Sequence, residues 1–167
     1  FYQQVDRPIR LSLTDFSLVD RQPPLRFSVV AYCLMANHFH LVLKQLIDHG
    51  ISAGLSDIGN SYTHYYNRRH DRSGRLFQGP FQSVPITSDM QLIHVVRYVL
   101  LNPVASNICD HPGDFPWSSY RELSLKPALR LTDPEAFMHH FNKPESLERF
   151  LTDHIDYARS LEAIKHF

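Results

Sequence analysis

The chain has little cysteine, and what it has builds no framework: Cys33 and Cys109 are the only two in 167 residues. With Cys33 inside an apolar, strand-like run, a reduced and cytoplasmic protein is the simpler account. Long hydrophobic runs are missing as well. None approaches the roughly 20 residues that span a bilayer, and no signal-peptide pattern opens the chain. The chain begins on Phe1 rather than Met, and the expectation is a start inside a longer product. Excess charge of either sign is absent, since 17 basic side chains face 17 acidic ones for a net charge of zero with histidines neutral. That balance argues against a generic binder of polyanions. Low-complexity tracts and internal repeats are also lacking. What remains, 43% hydrophobic and 20% charged residues, is the composition of one globular domain able to bury a sizeable core.

Histidine is plentiful, at 11 residues. Two of them stand in the most apolar stretch, Ala31-Tyr32-Cys33-Leu34-Met35-Ala36-Asn37-His38-Phe39-His40-Leu41-Val42-Leu43-Lys44. Residues 27–45 are hydrophobic on both alternating faces, which predicts a strand placed centrally in a sheet covered by helices, ended by Asp48-His49-Gly50. In a strand, residues i and i+2 share a face, so His38 and His40 project side by side while Phe39 and Leu41 point the other way. Two convergent imidazoles suggest a metal site, histidine being the commonest protein ligand. Two unrelated histidines are the plainer alternative.

Elsewhere the pattern is mixed. In residues 1–28, Pro8, Pro23 and Pro24 break any long element, and Ile9, Leu11 and Leu13 alternate weakly as a short strand does. Residues 50–70 predict a helix, with Ser52 as its cap and Arg68 and Arg69 at the end that favours positive charge. Tyr62, Tyr65 and Tyr66 fall on its apolar positions, which predicts core packing. Asp71-Arg72-Ser73-Gly74 reads as a turn, and residues 76–86 as an extended segment interrupted at Gly79-Pro80. Ser88 or Asp89 caps a second helix that runs to about Asn102 and stops before Pro103. Leu92, Val95, Val96, Val99 and Leu100 form its apolar stripe. His94, Tyr98 and Asn102, at i, i+4 and i+8, line up on a different face. A half-buried tyrosine with a wet hydroxyl is the structural alternative for Tyr98. The lone Trp117 and its aromatic neighbours are expected to pack a loop onto the domain. Helices beginning near Asp133-Pro134-Glu135 and Pro144-Glu145 read as a small appendage, which divides the chain into a main domain, 1–125, and a C-terminal helical extension, 126–167.

Arg68, Arg69, Arg72 and Arg75 fall within eight residues with only Asp71 opposing, the most basic run in the chain. A solvated helix end is one reading, and contact with nucleic-acid phosphates the other. Metal-assisted phosphoryl transfer would use all of these parts together. Two imidazoles and a third ligand hold a divalent ion that acts as a Lewis acid on a phosphodiester oxygen. A tyrosine hydroxyl attacks phosphorus and stores the bond as phosphotyrosine, while arginines grip phosphates and aromatics stack on unpaired bases.

At this point the residues resemble a known family. The stretch from Ala31 to Leu41 closely resembles the signature of single-tyrosine HUH transposases, in which two histidines flank a hydrophobic residue, and the nearest branch is that of the REP-associated tyrosine transposases. Ser61-Tyr62-Thr63-His64-Tyr65-Tyr66-Asn67-Arg68-Arg69, Gly74-Arg75-Leu76-Phe77-Gln78-Gly79 and Arg97-Tyr98-Val99-Leu100-Leu101-Asn102-Pro103-Val104 agree with it in order, and Trp117-Ser118-Ser119-Tyr120 has a familial look. The resemblance covers roughly residues 28–122. Residues 1–28 do not show the first strand usual in the family.

The resemblance implies an α+β, ferredoxin-like fold with a central antiparallel sheet and helices packed on it. It implies that His38 and His40 bind the metal, Mg2+ or Mn2+, with Asn102 completing the site, and that Tyr98 is the nucleophile. His94 is a candidate for supporting these ligands. The implied substrate is single-stranded DNA beside a hairpin, cut and rejoined through a 5′-phosphotyrosine by a bacterial, cytoplasmic, DNA-associated protein, as a monomer or a homodimer. Two rivals stand beside it. One is a noncatalytic or domesticated hairpin-binding protein of the same fold. The other is a zinc hydrolase on His38 and His40, which would need an acidic third ligand that neither motif supplies.

Overall fold

The computed structural model describes residues 24–125, 131–133, 135–141, 144–156 and 158–159. The weak strand expected at Ile9, Leu11 and Leu13 lies outside the described residues, as does Pro134.

Strands β1 (Phe27–Leu34) and β2 (Phe39–Gln45) form a two-stranded antiparallel sheet. The apolar run at 27–45 is therefore a hairpin and not one long strand. Met35 N–H donates to His38 O at 2.9 Å, which leaves Ala36 and Asn37 as the loop residues. Asparagine suits a turn because its short amide side chain bonds to the turning backbone, and Asn37 was the one sequence signal for it. The register shifts at Val30: Val29 pairs with Leu43, but Ala31 pairs with Val42. One extra residue inverts the alternation. Phe27 and Val29 thus share a face with Leu43, while Ala31 and Cys33 share the opposite face with Val42 and His40. Adjacent Val30 and Ala31 are consequently both buried, which is why the run looks apolar on both faces.

Helix α1 (Gly50–Arg69) starts from His49, held in the left-handed region at φ 56°, and not from Ser52. The chain reaches it early because Leu46 N–H and Ile47 N–H both donate to Arg26 O as β2 ends. Its buried Gly54 has no room for a Cβ, since the Phe27 ring fills that space. The residue that weakens the helix locally is what lets it approach β1. Gly54→Ala is expected to destabilise the protein by about 1–3 kcal/mol in urea unfolding, because overpacking exceeds the gain in helix propensity. The helix does not bury its tyrosines as its periodicity predicts: Tyr62 and Tyr65 are 47% and 58% exposed. Residues 76–86 are irregular, with no strand among them. Pro80 and Pro85 lack the N–H that a ladder needs.

Helix α2 (Asp89–Ala105) is capped by Ser88, whose Oγ accepts from Gln91 N–H at 3.2 Å. Val96, Val99 and Leu100 bury against Ala31, Cys33 and Val42 as their stripe predicts. The helix runs through Pro103 instead of stopping before it. The proline forgoes one hydrogen bond, to the carbonyl four residues back, while Leu101, Val104 and Ala105 all gain burial.

The second edge of β1 is covered by loops. Leu34 N–H donates to Trp117 O at 2.8 Å, Ser119 N–H to Tyr32 O at 3.0 Å, and Asp133 N–H to Val29 O at 2.7 Å. Trp117 contributes backbone only, its side chain lying mostly in solvent, and Phe115 and Tyr120 are the aromatics that bury here. Helix α3 (Tyr120–Leu125) carries Glu122. One carboxylate oxygen accepts from the Tyr32 hydroxyl at 2.8 Å, and the other from Leu131 N–H, Thr132 N–H and the Thr132 hydroxyl at 2.9–3.0 Å. Burial by itself raises the Glu122 carboxyl, but these bonds outweigh it and hold the group below its usual range. Tyr32 is pushed up to about 12, first by burial and then by the Glu122 bond and charge.

A carboxyl depressed in the folded state stabilises fully above its unfolded pKa, and the contribution is lost as pH falls through the folded value. Unfolding midpoints are therefore expected to drop on acidification below about pH 4.5. Glu122→Gln should flatten that dependence and cost about 2 kcal/mol at neutral pH, since an amide cannot accept all four bonds.

Helices α4 (Glu135–Met138) and α5 (Pro144–Thr152) follow. Phe137, Leu147 and Leu151 are fully buried in the same core as β1 and α2, and the Arg97 guanidinium of α2 lies over the Phe150 ring at 4.4 Å. The helices expected as an appendage thus close the core. Among the described residues the fold is mixed α+β, a two-stranded antiparallel sheet packed against helices. Among the described residues, no helix is long and apolar enough to cross a membrane.

Candidate metal and tyrosine centre

His38 ends the hairpin turn and His40 lies on β2, paired with Cys33. Their rings sit 4.9 Å apart between centroids at 83°. Pairing with buried Cys33 puts His40 on the sheet face that α2 covers, and there the Tyr98 ring stands 5.3 Å from it at 76°. Tyr98 is 47% exposed, so its ring is fixed against His40 while solvent and ligands reach it. The structure brings His38, His40 and Tyr98 together within one chain.

Asn37 was missed as a site residue. His38 Nδ1 lies 2.7 Å from Asn37 Oδ1. An amide oxygen only accepts, so Nδ1–H donates to it, and in a neutral imidazole that leaves the lone pair on Nε2. A histidine whose other nitrogen is held in this way is the usual metal-ligating arrangement.

Asn102, one turn after Tyr98, is 5% exposed. Its Oδ1 is buried with no hydrogen-bond partner among the described residues. A buried amide oxygen without a donor is costly, and a cation ligated there would satisfy it. The donor set of two imidazole nitrogens and an amide oxygen fits a divalent ion. Among the described residues, the only His, Cys, Asp or Glu ligands clustered closely enough in threes are Asp89, His139 and His140. Among the described residues, no carboxylate forms a cluster of that kind with His38 and His40. His94 is exposed, and its Nδ1 lies 2.6 Å from the Arg97 guanidinium, whose N–H donates to it.

Beside the centre runs an exposed aromatic ridge that includes Tyr62 and Tyr65, for which helical periodicity predicts core packing. Phe77 touches Phe39 edge-on at 6.0 Å and Tyr62 at 6.4 Å. Tyr62 in turn neighbours Tyr65 and Tyr66 at 6.3 and 6.1 Å. Phe39, between the two histidines in sequence, thus ties the hairpin to α1. At the far end of α1 the Arg72 guanidinium sits over the Tyr66 ring at 5.7 Å and donates to Arg75 O at 3.2 Å. Arg68, Arg69, Arg72 and Arg75 are all exposed. Tyr62 and Tyr65 depart from the core packing expected of them because helical periodicity shows which residues share a face, and not whether another element covers it.

Comparison with protein-family models, with curated proteins and with solved structures returns no match.

Proposed function

We propose that the protein is a metal-dependent transesterase that cuts and rejoins single-stranded DNA beside hairpins, in the manner of the single-tyrosine HUH transposases its motifs resemble. The observation that carries this reading is the contact of Tyr98 with His40, which joins the candidate nucleophile to the candidate metal ligands within one chain. A ferredoxin-like plan belongs to the same reading, with β1, β2, α1 and α2 as its described part.

His38, His40 and Asn102 would hold Mg2+ or Mn2+, which when bound supplies Lewis-acid polarisation of a phosphodiester oxygen. Tyr98 Oη attacks phosphorus and loses its proton to the solvent that reaches its half-exposed ring. The P–O3′ bond breaks as the tyrosyl P–O bond forms, leaving a 5′-phosphotyrosine and a 3′-hydroxyl. Reversal with another 3′-hydroxyl rejoins a strand without an external energy source, because the phosphodiester is conserved. The exposed ridge of Phe39, Phe77 and Tyr62 offers stacking surfaces for unpaired bases, and the four arginines offer phosphate contacts. A Tyr98 that meets its own chain's histidines favours a site complete in one subunit.

The test is incubation of hairpin-flanked single strands with Mn2+, with the covalent adduct mapped by mass spectrometry. The adduct is expected on Tyr98. Its absence across a broad substrate panel sinks the proposal, and hairpin binding indifferent to metal removal would establish the noncatalytic binder instead.

A further inference from the structure

A second cluster of ligands lies apart from the Tyr98 centre. Asp89 opens α2, and His139 and His140 follow α4; each offers a donor atom, and the three donors lie within 4.8 Å of one another. We propose that this cluster is a zinc site, distinct from the His38/His40 centre, which fastens the start of α2 to the chain beyond α4.

The local structure explains how two consecutive histidines can serve one ion. The backbone turns after α4, with His140 N–H donating to Phe137 O at 3.2 Å. The two imidazoles consequently lie 3.8 Å apart between centroids, where a strand would send them to opposite faces. His139 Nδ1 lies 3.0 Å from Glu135 O. A carbonyl only accepts, so Nδ1–H donates to it, and in a neutral imidazole that leaves the lone pair on Nε2, the arrangement that orients a metal-binding ring. His140 Nε2 is buried with no hydrogen-bond partner among the described residues, and ligation would satisfy it. Ser88 already caps α2, so the exposed Asp89 carboxylate is not needed for that role.

The donor set selects the ion. Two imidazoles and one carboxylate form a borderline-soft set that suits zinc, with a fourth position left for water, and Mg2+ and Ca2+ prefer oxygen throughout. Joining residue 89 to residues 139 and 140 closes a long loop, which restricts the unfolded chain. It also anchors the N-terminus of the helix that carries Tyr98 and Asn102.

The experiment titrates the metal-free full chain with ZnCl2 by calorimetry and with Co2+ by visible absorbance. It is run on the wild type and on a His38→Ala/His40→Ala background. One tight zinc per chain is expected to survive in that background, with excess Mg2+ failing to displace it. Asp89→Ala and His139→Ala, both at exposed positions, should each weaken it by more than about tenfold. At a hundredfold excess over Kd, zinc should raise Tm by about 5–10 °C in the wild type and not in Asp89→Ala. Absence of zinc uptake overturns the proposal. So does uptake that disappears with His38 and His40 and is untouched by Asp89→Ala and His139→Ala. Neither result depends on strand cleavage, so this site and the proposed activity fail separately.

Discussion

Replacing Tyr98 by phenylalanine is expected to abolish covalent attachment to DNA and to reduce strand cleavage by at least about a thousandfold. The substitution removes one oxygen and keeps the ring that stands 5.3 Å from His40. Because that ring is 47% exposed, the fold should unfold at the same urea concentration as wild type. Metal affinity should also persist, since the proposed ligands His38, His40 and Asn102 are untouched. The combination to look for is lost chemistry with retained fold, retained Mn2+ binding and retained hairpin binding. An adduct that survives in Tyr98→Phe would move the nucleophile elsewhere, and Tyr62 and Tyr65, exposed on α1, would be the next to replace.

Phe137→Ala is expected to destabilise the protein by about 3–5 kcal/mol. Phe137 lies on α4, in the segment that the sequence divides from the main domain, yet it is fully buried beside α2 and β1 residues in one core. Truncation leaves a cavity that rigid neighbours only partly fill, and the cavity adds to the lost transfer energy. For a protein of this size each kcal/mol moves Tm by about 2–4 °C, so calorimetry should show a single transition lowered by roughly 6–20 °C. A separate low-temperature transition, with the main one unmoved, would mean that the C-terminal helices fold as an independent appendage.

Much of the candidate site was legible because its spacing is local. Two histidines two residues apart share a face wherever the backbone is extended, and Tyr98 and Asn102 are one helical turn apart whatever surrounds them. The Ser88 cap, the basic end of α1 and the Val96–Val99–Leu100 stripe were legible for the same reason. Asn37, Tyr62 and Trp117 were misread or overlooked because their roles depend on what lies across from them. Asn37 sits inside an apolar run whose turn shows only when the hairpin closes. Tyr62 repeats at helical intervals on a face that no helix or strand covers among the described residues. Trp117 looks like a core residue, and its contribution is a carbonyl.

By itself, then, the sequence determined the candidate ligand and nucleophile types, their spacing along each element, the helix that carries Tyr98 and Asn102 and the absence of net charge. Tertiary structure alone decided the bulge at Val30 that turns Ala31 and Cys33 toward α2, the meeting of His40 with Tyr98, the burial of Asn102, and the cluster of Asp89 with His139 and His140. The physical reason is that backbone periodicity fixes directions only within an element. A site made from two elements exists only where burial of their apolar faces brings them together.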